Sequence, residues 1–482
     1  MNKKSLLSIA LLGAFSLQAL GADAPVAPAA APAAIAKPAD WRENYAYTLG
    51  VQAVIYGFPM MKDMLTRYGM VEKPQGIIKG TVNGWWHSPR PGNAEDKYNA
   101  SINDDQLYSV SWFDVAKEPL VITVPDAGER YYSVQMMEMN SDIFDYIGIR
   151  ATGNKAGSYL LVGPDWKGTL PEGIAGLRRS PTPTGMLILR ITVDAHDKLE
   201  SAKALQDKTG IAPLSNWLSK APYIPTVRDV LDPVPAQTGD PFWFFKTVNR
   251  GFTENPPPAK DAAFVKMLST IGVGPNMGDD FSKLDAATQA GLKRATMDGI
   301  AVVKQSAKAN YDSKIVNNWA YGHVNWGRTA QANDFLTRAG TQSDAGMQEH
   351  HIEEVVKLRA YLDANGKAYN GADGRYVLRF EPGQLPKVKS FWSVTLYDER
   401  YDLVANEINR YSLGTKDMKN MVFGKDGSLE IYIQADRPAS ELLSNWLPAP
   451  KGSFNLFMRA YLPDASLIQQ TYIPPAVQRV TQ

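Results

Sequence analysis

Tyr131-Tyr132-Ser133-Val134-Gln135-Met136 and, far downstream, Phe391-Trp392-Ser393-Val394-Thr395-Leu396 read as the same strand written twice. Two further pairs follow in the same order: Gly157-Ser158-Tyr159-Leu160 with Gly427-Ser428-Leu429-Glu430, and Met186-Leu187-Ile188-Leu189-Arg190 with Asn455-Leu456-Phe457-Met458-Arg459. Short alternating runs resemble one another by propensity alone, so the common order of three matches carries the reading rather than any single one. It predicts a mainly β protein with helical segments: two antiparallel β-sandwich domains of jelly-roll type, related by duplication, plus a largely helical insert.

Working outward, short β-branched or alternating runs separated by Gly, Pro, Asn and Asp fill the stretch from about Gly80 to Val193 and return from Tyr376 onward, the texture of many strands with tight turns. Helical spacing is read from Trp41 to Tyr68, with a break at Gly57-Phe58-Pro59, and over Asp261 to Ile271, Ala286 to Ser306 and His350 to Leu362. The predicted organisation is an N-terminal helix plus β-sandwich over 40–200, a helical and loop insert over 201–370 and a C-terminal β-sandwich over 371–482.

The chain starts Met1-Asn2-Lys3-Lys4 and continues with an apolar run from Ser5 to Leu17 that ends at Gln18-Ala19-Leu20-Gly21. A basic start, a short apolar run and small residues at the end form a secretory signal peptide, with cleavage expected after Gly21. The run is shorter than the ~20 apolar residues that span a bilayer. An Ala/Pro tract over 22–39 reads as an extended tether. The expected location is periplasmic or secreted.

The chain holds no cysteine, which excludes a disulfide framework, a thiolate metal site and a lipid-anchored Cys. With Lys3 and Lys4 gone, the 51 basic residues become 49 against 50 acidic ones. Such balance gives no electrostatic footprint for nucleic acid, and no later apolar stretch is long enough for a membrane span.

Strong catalytic signatures are missing: there is no G-x-S-x-G elbow and no phosphate-cradling glycine loop. His350 and Glu354, read on one helix face, have the i, i+4 spacing of metal ligands but lack the second histidine of a metalloprotease helix, so no metal site is expected there. Polar residues crowd among aromatics at Trp85-Trp86-His87, Asn99, Asn103-Asp104-Asp105 and Tyr108. Adjacent carboxylates repel when buried, so one of Asp104 and Asp105 can hold a proton and act as general acid or base. Tyr108 is the candidate hydrogen-bond donor, with Trp86, His87, Asn103 and Arg150 as ligand-binding neighbours. The competing reading is a turn in which the Asn and Asp side chains bond the backbone. Arg190 and Arg459, inside apolar strands at matching positions, read as a structural strand-end ion pair preserved in both halves.

Asn103-Asp104-Asp105-Gln106-Leu107-Tyr108, Lys117-Glu118-Pro119, the Ile147 to Gly153 run and Gly163-Pro164-Asp165-Trp166 resemble the bacterial domain-of-unknown-function family 1254. The Phe391 to Asp398 run, Asn409-Arg410-Tyr411, Asp426-Gly427-Ser428, the Asn445 to Pro450 run and Arg459-Ala460-Tyr461 are similar to its usual C-terminal partner, family 1214. Asp105-Gln106 departs from the family's usual Asp-Thr, which leaves open which aspartate is the family's. The resemblance implies export and a largely β architecture; it implies no activity and no cofactor. Two function classes stay open: a hydrolase acting on a small or polymeric extracellular substrate, and a non-catalytic periplasmic binding protein for a sugar-like or aromatic ligand. The expected partner is a small-molecule or glycan-like ligand, and the sequence fixes neither cofactor nor oligomeric state.

Overall fold

Alternation along the strands decides the layering, because successive side chains leave a strand on opposite faces. The structure, a computed structural model, describes residues 40–76, 79–98, 101–193, 199–225, 231–309, 314–344 and 349–480. The stretches read as a signal peptide and a tether, and Asn99, lie outside the described residues. The first sandwich is built from β1 (Trp86–His87), β2 (Gln106–Asp114), β3 (Leu120–Val124), β4 (Tyr132–Glu138), β5 (Ile143–Gly148), β6 (Gly157–Val162), β7 (Gly176–Arg179), β8 (Thr184–Thr192) and β9 (Gly210–Pro213). Its sheets run β1-β2-β8-β4-β5 and β7-β6-β3-β9. Leu107, Phe113, Val134, Leu187 and Leu189 of the larger sheet meet Leu120, Ile122 and Leu161 of the smaller one in an apolar core.

The second sandwich is built from β10 (Ile315–Val316), β11 (Trp319–Tyr321), β12 (Val355–Ala360), β13 (Arg375–Phe380), β14 (Trp392–Asp398), β15 (Ser412–Gly414), β16 (Leu429–Gln434), β17 (Trp446–Pro448), β18 (Phe454–Tyr461) and β19 (Val477–Val480). Its sheets run β10-β11-β12-β18-β14-β15 and β17-β16-β13-β19. Apart from the extra edge strand β10, this is the order of the first sandwich, and the parallel pairing of named strands, β6 with β7 and β16 with β17, recurs at the same place. The register repeats as well. Ser133 lies opposite Arg190 and Gly148, while Ser393 lies opposite Arg459 and Gly414. All three repeats in the sequence therefore fall on equivalent strands.

The helices are α1 (Trp41–Glu72), α2 (Leu199–Asp207), α3 (Leu214–Ser219), α4 (Trp243–Glu254), α5 (Ala262–Ser269), α6 (Ala286–Lys308) and α7 (Phe335–Asp344). Helix α1 runs unbroken through Pro59, against the break expected at Gly57-Phe58-Pro59. Proline removes one backbone donor, but tertiary packing outweighs that loss. A Cβ on Gly57 would meet Val248 of α4 at 2.9 Å, and one on Gly291 of α6 would meet the Glu43 carbonyl at 2.3 Å. The helices thus approach α1 as closely as their glycines permit, and they share an apolar core with Val110, Trp112, Met137, Met186 and Ile188 of the first sandwich.

Two further readings are corrected. Val355–Ala360, read as helical, is strand β12, with Val356, Leu358 and Ala360 in the second core. His350 and Glu354 precede that strand and share no helix face. Within the stretch read as a helical insert, β9 belongs to the first sandwich and β11 and β12 to the second.

Candidate functional site between the two sandwiches

Each larger sheet turns its core-forming residues inward, which leaves its alternate residues on an outer face. On the first sheet part of that face, with Val110 and Met186, is covered by helices; Gln106, Tyr108 and Arg190 continue the same face toward the second sandwich. There Ser393, Thr395 and Tyr397 alternate with the core residues of β14, as Phe457, Arg459 and Tyr461 do on β18. The sandwiches are joined by polar and aromatic contacts. Asn103 Nδ2 donates to Tyr461 Oη (2.7 Å), which itself donates to Gln106 Oε1 (3.3 Å). Tyr131 Oη donates to Glu354 Oε1 (2.7 Å), and Phe391 stacks on Tyr461 with ring centroids 4.1 Å apart.

Asp105 ends the loop before β2 and is 3% exposed. Burial, and then the neighbouring Asp104, push its carboxyl up to about 6; Lys416, the Ser393 hydroxyl and Arg459 act in the opposite direction. One oxygen of each of Asp104 and Asp105 and the Gln106 amide nitrogen are buried without a hydrogen-bond partner in the protein. Such atoms cost roughly 1–3 kcal/mol each when nothing satisfies them. Lys416 pairs with Asp417 at 3.0 Å. Burial acts to lower its pKa, but Asp104, Asp417 and Asp105 together outweigh this and raise it.

Two arginines close the site from the strands. Arg459, 5% exposed, donates to Tyr397 Oη (2.9 Å), Thr395 Oγ1 (3.5 Å) and the Ser101 carbonyl (2.7 Å). Ser101 holds a φ of 45°, a conformation seldom adopted outside glycine, and its carbonyl also accepts from Tyr397 Oη at 3.1 Å. Arg190, 6% exposed, donates to Gln135 Oε1 (2.5 Å) and lies over the Tyr108 ring at 5.5 Å. Burial raises the Tyr108 pKa, partly opposed by both arginines. Neither arginine has a carboxylate within 4.0 Å among the described residues, so the expected strand-end ion pair is not formed.

Of the residues singled out in the sequence, Asp104, Asp105 and Tyr108 come together here, and Asn103 is a strut to Tyr461. Trp86 sits opposite Val110 on the edge strand and shares the Tyr108 face. His87 does not join the site: it faces Ser109, to which its Nδ1 is bonded at 2.7 Å, on the other side of the sheet. Arg150 pairs instead with Glu354 and lies over Tyr146 at 4.9 Å. Nearby, His350 keeps a buried Nε2 without a partner, and burial followed by Arg190 holds its pKa well below the usual value. Among the described residues no group of three or more His, Asp or Glu side chains is placed to hold a metal, and no helix is long and apolar enough to cross a membrane. Sequence reasoning did not place Lys416, Ser393, Tyr397 and Tyr461 at the site, and it read Arg190 and Arg459, from their apolar strands and the repeat, as structural.

Residues 82–213 match the family described as protein of unknown function (DUF1254), and residues 354–465 the family described as protein of unknown function (DUF1214). The chain is a DUF1254–DUF1214 protein. The DUF1254 match spans the first sandwich through the end of β9, and the DUF1214 match runs from the start of β12 past β18. The crystal structure of the VPA0106 protein from Vibrio parahaemolyticus is similar, with a TM-score of 0.69 and 24% identity over 90% of this chain and 100% of that one. That likeness supports the two-sandwich fold. An uncharacterized protein from Burkholderia cenocepacia aligns over 91% of this chain and 94% of its own, with 13% identity and a TM-score of 0.44. No curated protein matches the chain. The carboxylate–arginine cluster thus lies where the DUF1254 and DUF1214 segments meet.

Proposed function

We propose that this DUF1254–DUF1214 protein is an exported hydrolase whose site is the cluster between the sandwiches, with Asp105 as general base. One observation carries the reading: a nearly inaccessible carboxyl, repelled by an adjacent aspartate and left with an unpartnered oxygen, is held near pH 6, where a base is useful at neutral pH. On an ester-type substrate the Asp105 carboxylate takes a proton from water as the water oxygen bonds to the carbonyl carbon. Tyr108 donates to the oxyanion that forms. Collapse breaks the bond to the leaving oxygen, which receives the proton, so ester and water become acid and alcohol. Export rests on the Lys3-Lys4 start and the apolar run after it.

The reading as a binding protein for an aromatic or sugar-like ligand draws on the Tyr131, Phe391 and Tyr461 rings at the interface. A screen of esters and glycosides with the full exported chain separates the two. Turnover that falls at least about a hundredfold in Asp105→Asn, with binding retained, supports the hydrolase. Binding without turnover supports the second reading.

A further inference from the structure

Arg190 and Arg459 occupy the same position in the two halves of the repeat, each opposite a serine on the adjacent strand. A buried guanidinium loses its hydration and ordinarily finds a carboxylate in exchange. Arg67 and Lys357, also in the interior, meet Glu254 and Glu349 respectively. Arg190 and Arg459 instead meet an amide oxygen, hydroxyls and a main-chain carbonyl, all neutral. The charge of each is therefore uncompensated at contact distance by the described residues.

Two contacts bring the two cations toward one place. Arg190 lies opposite Tyr108 and over its ring at 5.5 Å, and Tyr461, on the same face of β18 as Arg459, donates to Gln106, the neighbour of Tyr108 on its face of β2. Gln106, on the same face of β2 as Tyr108 and 0% exposed, has an amide nitrogen with no partner in the protein, while its oxygen accepts from Asn103 and Tyr461. Beside the Asp104 and Asp105 carboxylates, the site thus offers two guanidiniums and the unpartnered Gln106 amide as hydrogen-bond donors. We infer that the site takes a small organic molecule through an anionic oxygen group, a carboxylate, which Arg190 and Arg459 grip from the two sandwiches. The planar guanidinium fork matches a carboxylate in two parallel hydrogen bonds, and the Gln106 amide supplies a further donor. One sandwich alone provides half of this grip, which gives the paired architecture a role in recognition. The inference rests on the reading of the Asp105 cluster as the functional site and adds its substrate class.

The test is calorimetric titration of the full exported chain at constant ionic strength with acetate, benzoate, methanesulfonate and inorganic phosphate, against neutral benzamide. Saturable binding of benzoate or acetate, tighter than that of benzamide and weakened about tenfold or more in Arg190→Gln and in Arg459→Gln, is the expected result. Arg190→Lys, which keeps the charge without the fork, is expected to fall between parent and Arg190→Gln, and an unchanged unfolding midpoint shows that the variants are folded. Benzamide binding as tightly as benzoate, carboxylate affinity unchanged in both Gln variants, or no saturable carboxylate binding by the folded parent overturns the inference. Tighter binding of phosphate or methanesulfonate overturns the carboxylate assignment. Asp105→Asn is expected to keep carboxylate binding, so loss of turnover in that variant with no carboxylate binding by the parent would refute the substrate class alone. Carboxylate binding alongside normal turnover in Asp105→Asn would refute the general base alone.

Discussion

Replacing Asp105 with asparagine is expected to stabilise the folded protein at neutral pH while removing its activity. The carboxyl is 3% exposed, and burial followed by Asp104 moves its pKa from 3.8 to about 6. A carboxyl raised in this way binds its proton more tightly in the folded state than in the unfolded one. Its contribution is therefore favourable at low pH and is lost as pH rises from about 4 to about 6. Above that window the folded protein carries an ionised carboxylate in a poor environment. The displacement corresponds to roughly 3 kcal/mol, and an asparagine amide that inherits the shortage of partners reduces the gain to about 1–3 kcal/mol. Urea unfolding of parent and variant at pH 7.5 and pH 4 measures it: the variant should be the more stable at pH 7.5, with the advantage shrinking at pH 4. If Asp105 merely shaped a turn, its replacement would cost about 1 kcal/mol at both pH values. A variant less stable than the parent by the same amount at both would refute the argument.

His87→Ala should leave ligand binding and turnover unchanged in kinetic assays, because its imidazole bonds Ser109 on the opposite face of the sheet. Gly291→Ala should lower the urea midpoint by an amount equivalent to about 1–3 kcal/mol, since the new Cβ would lie 2.3 Å from the Glu43 carbonyl across the α1–α6 contact. Tyr131→Phe removes a donor to Glu354 at 2.7 Å and an acceptor for the Ser133 hydroxyl at 3.2 Å; chemical unfolding should show a loss of about 1–3 kcal/mol. N-terminal sequencing of exported protein should begin after Gly21, and material that begins at Met1 would contradict export.

The sandwich repeat was legible because β4 and β14 each bury alternate residues in a core, so Val134 and Val394, with Ser133 and Ser393 beside them, keep both pattern and register. Strand β12 was not legible. Its Val356, Leu358 and Ala360 do alternate with Val355, Lys357 and Arg359, yet Leu, Lys, Arg and Ala are good helix formers, and all six positions are buried because the second face packs at the interface. Nor does sequence reveal that α1 passes Pro59, since close packing against α4 and α6 decides it. At the site, Asp104, Asp105 and Tyr108, close in sequence, are also close in the fold. Strand parity sends the His87 ring to the far face of the sheet, and Arg150, named as a neighbour, is held instead by Glu354 from a distant segment. Lys416 and Arg459 come near enough to act on the Asp105 carboxyl only through the packing of one sandwich on the other, a relation that no local pattern encodes.

The pH dependence of kcat/KM for the parent and for Asp105→Asn, on a substrate found in the ester and glycoside screen, tests the central claim most directly. The base acts as its carboxylate, so parent activity should rise with pH through an apparent pKa of about 6, and the variant should lose at least about a hundredfold in rate together with that rising limb. A variant that retains the parent's rate, or the same rising limb, would contradict the assignment of Asp105 as the base at the junction of the two sandwiches.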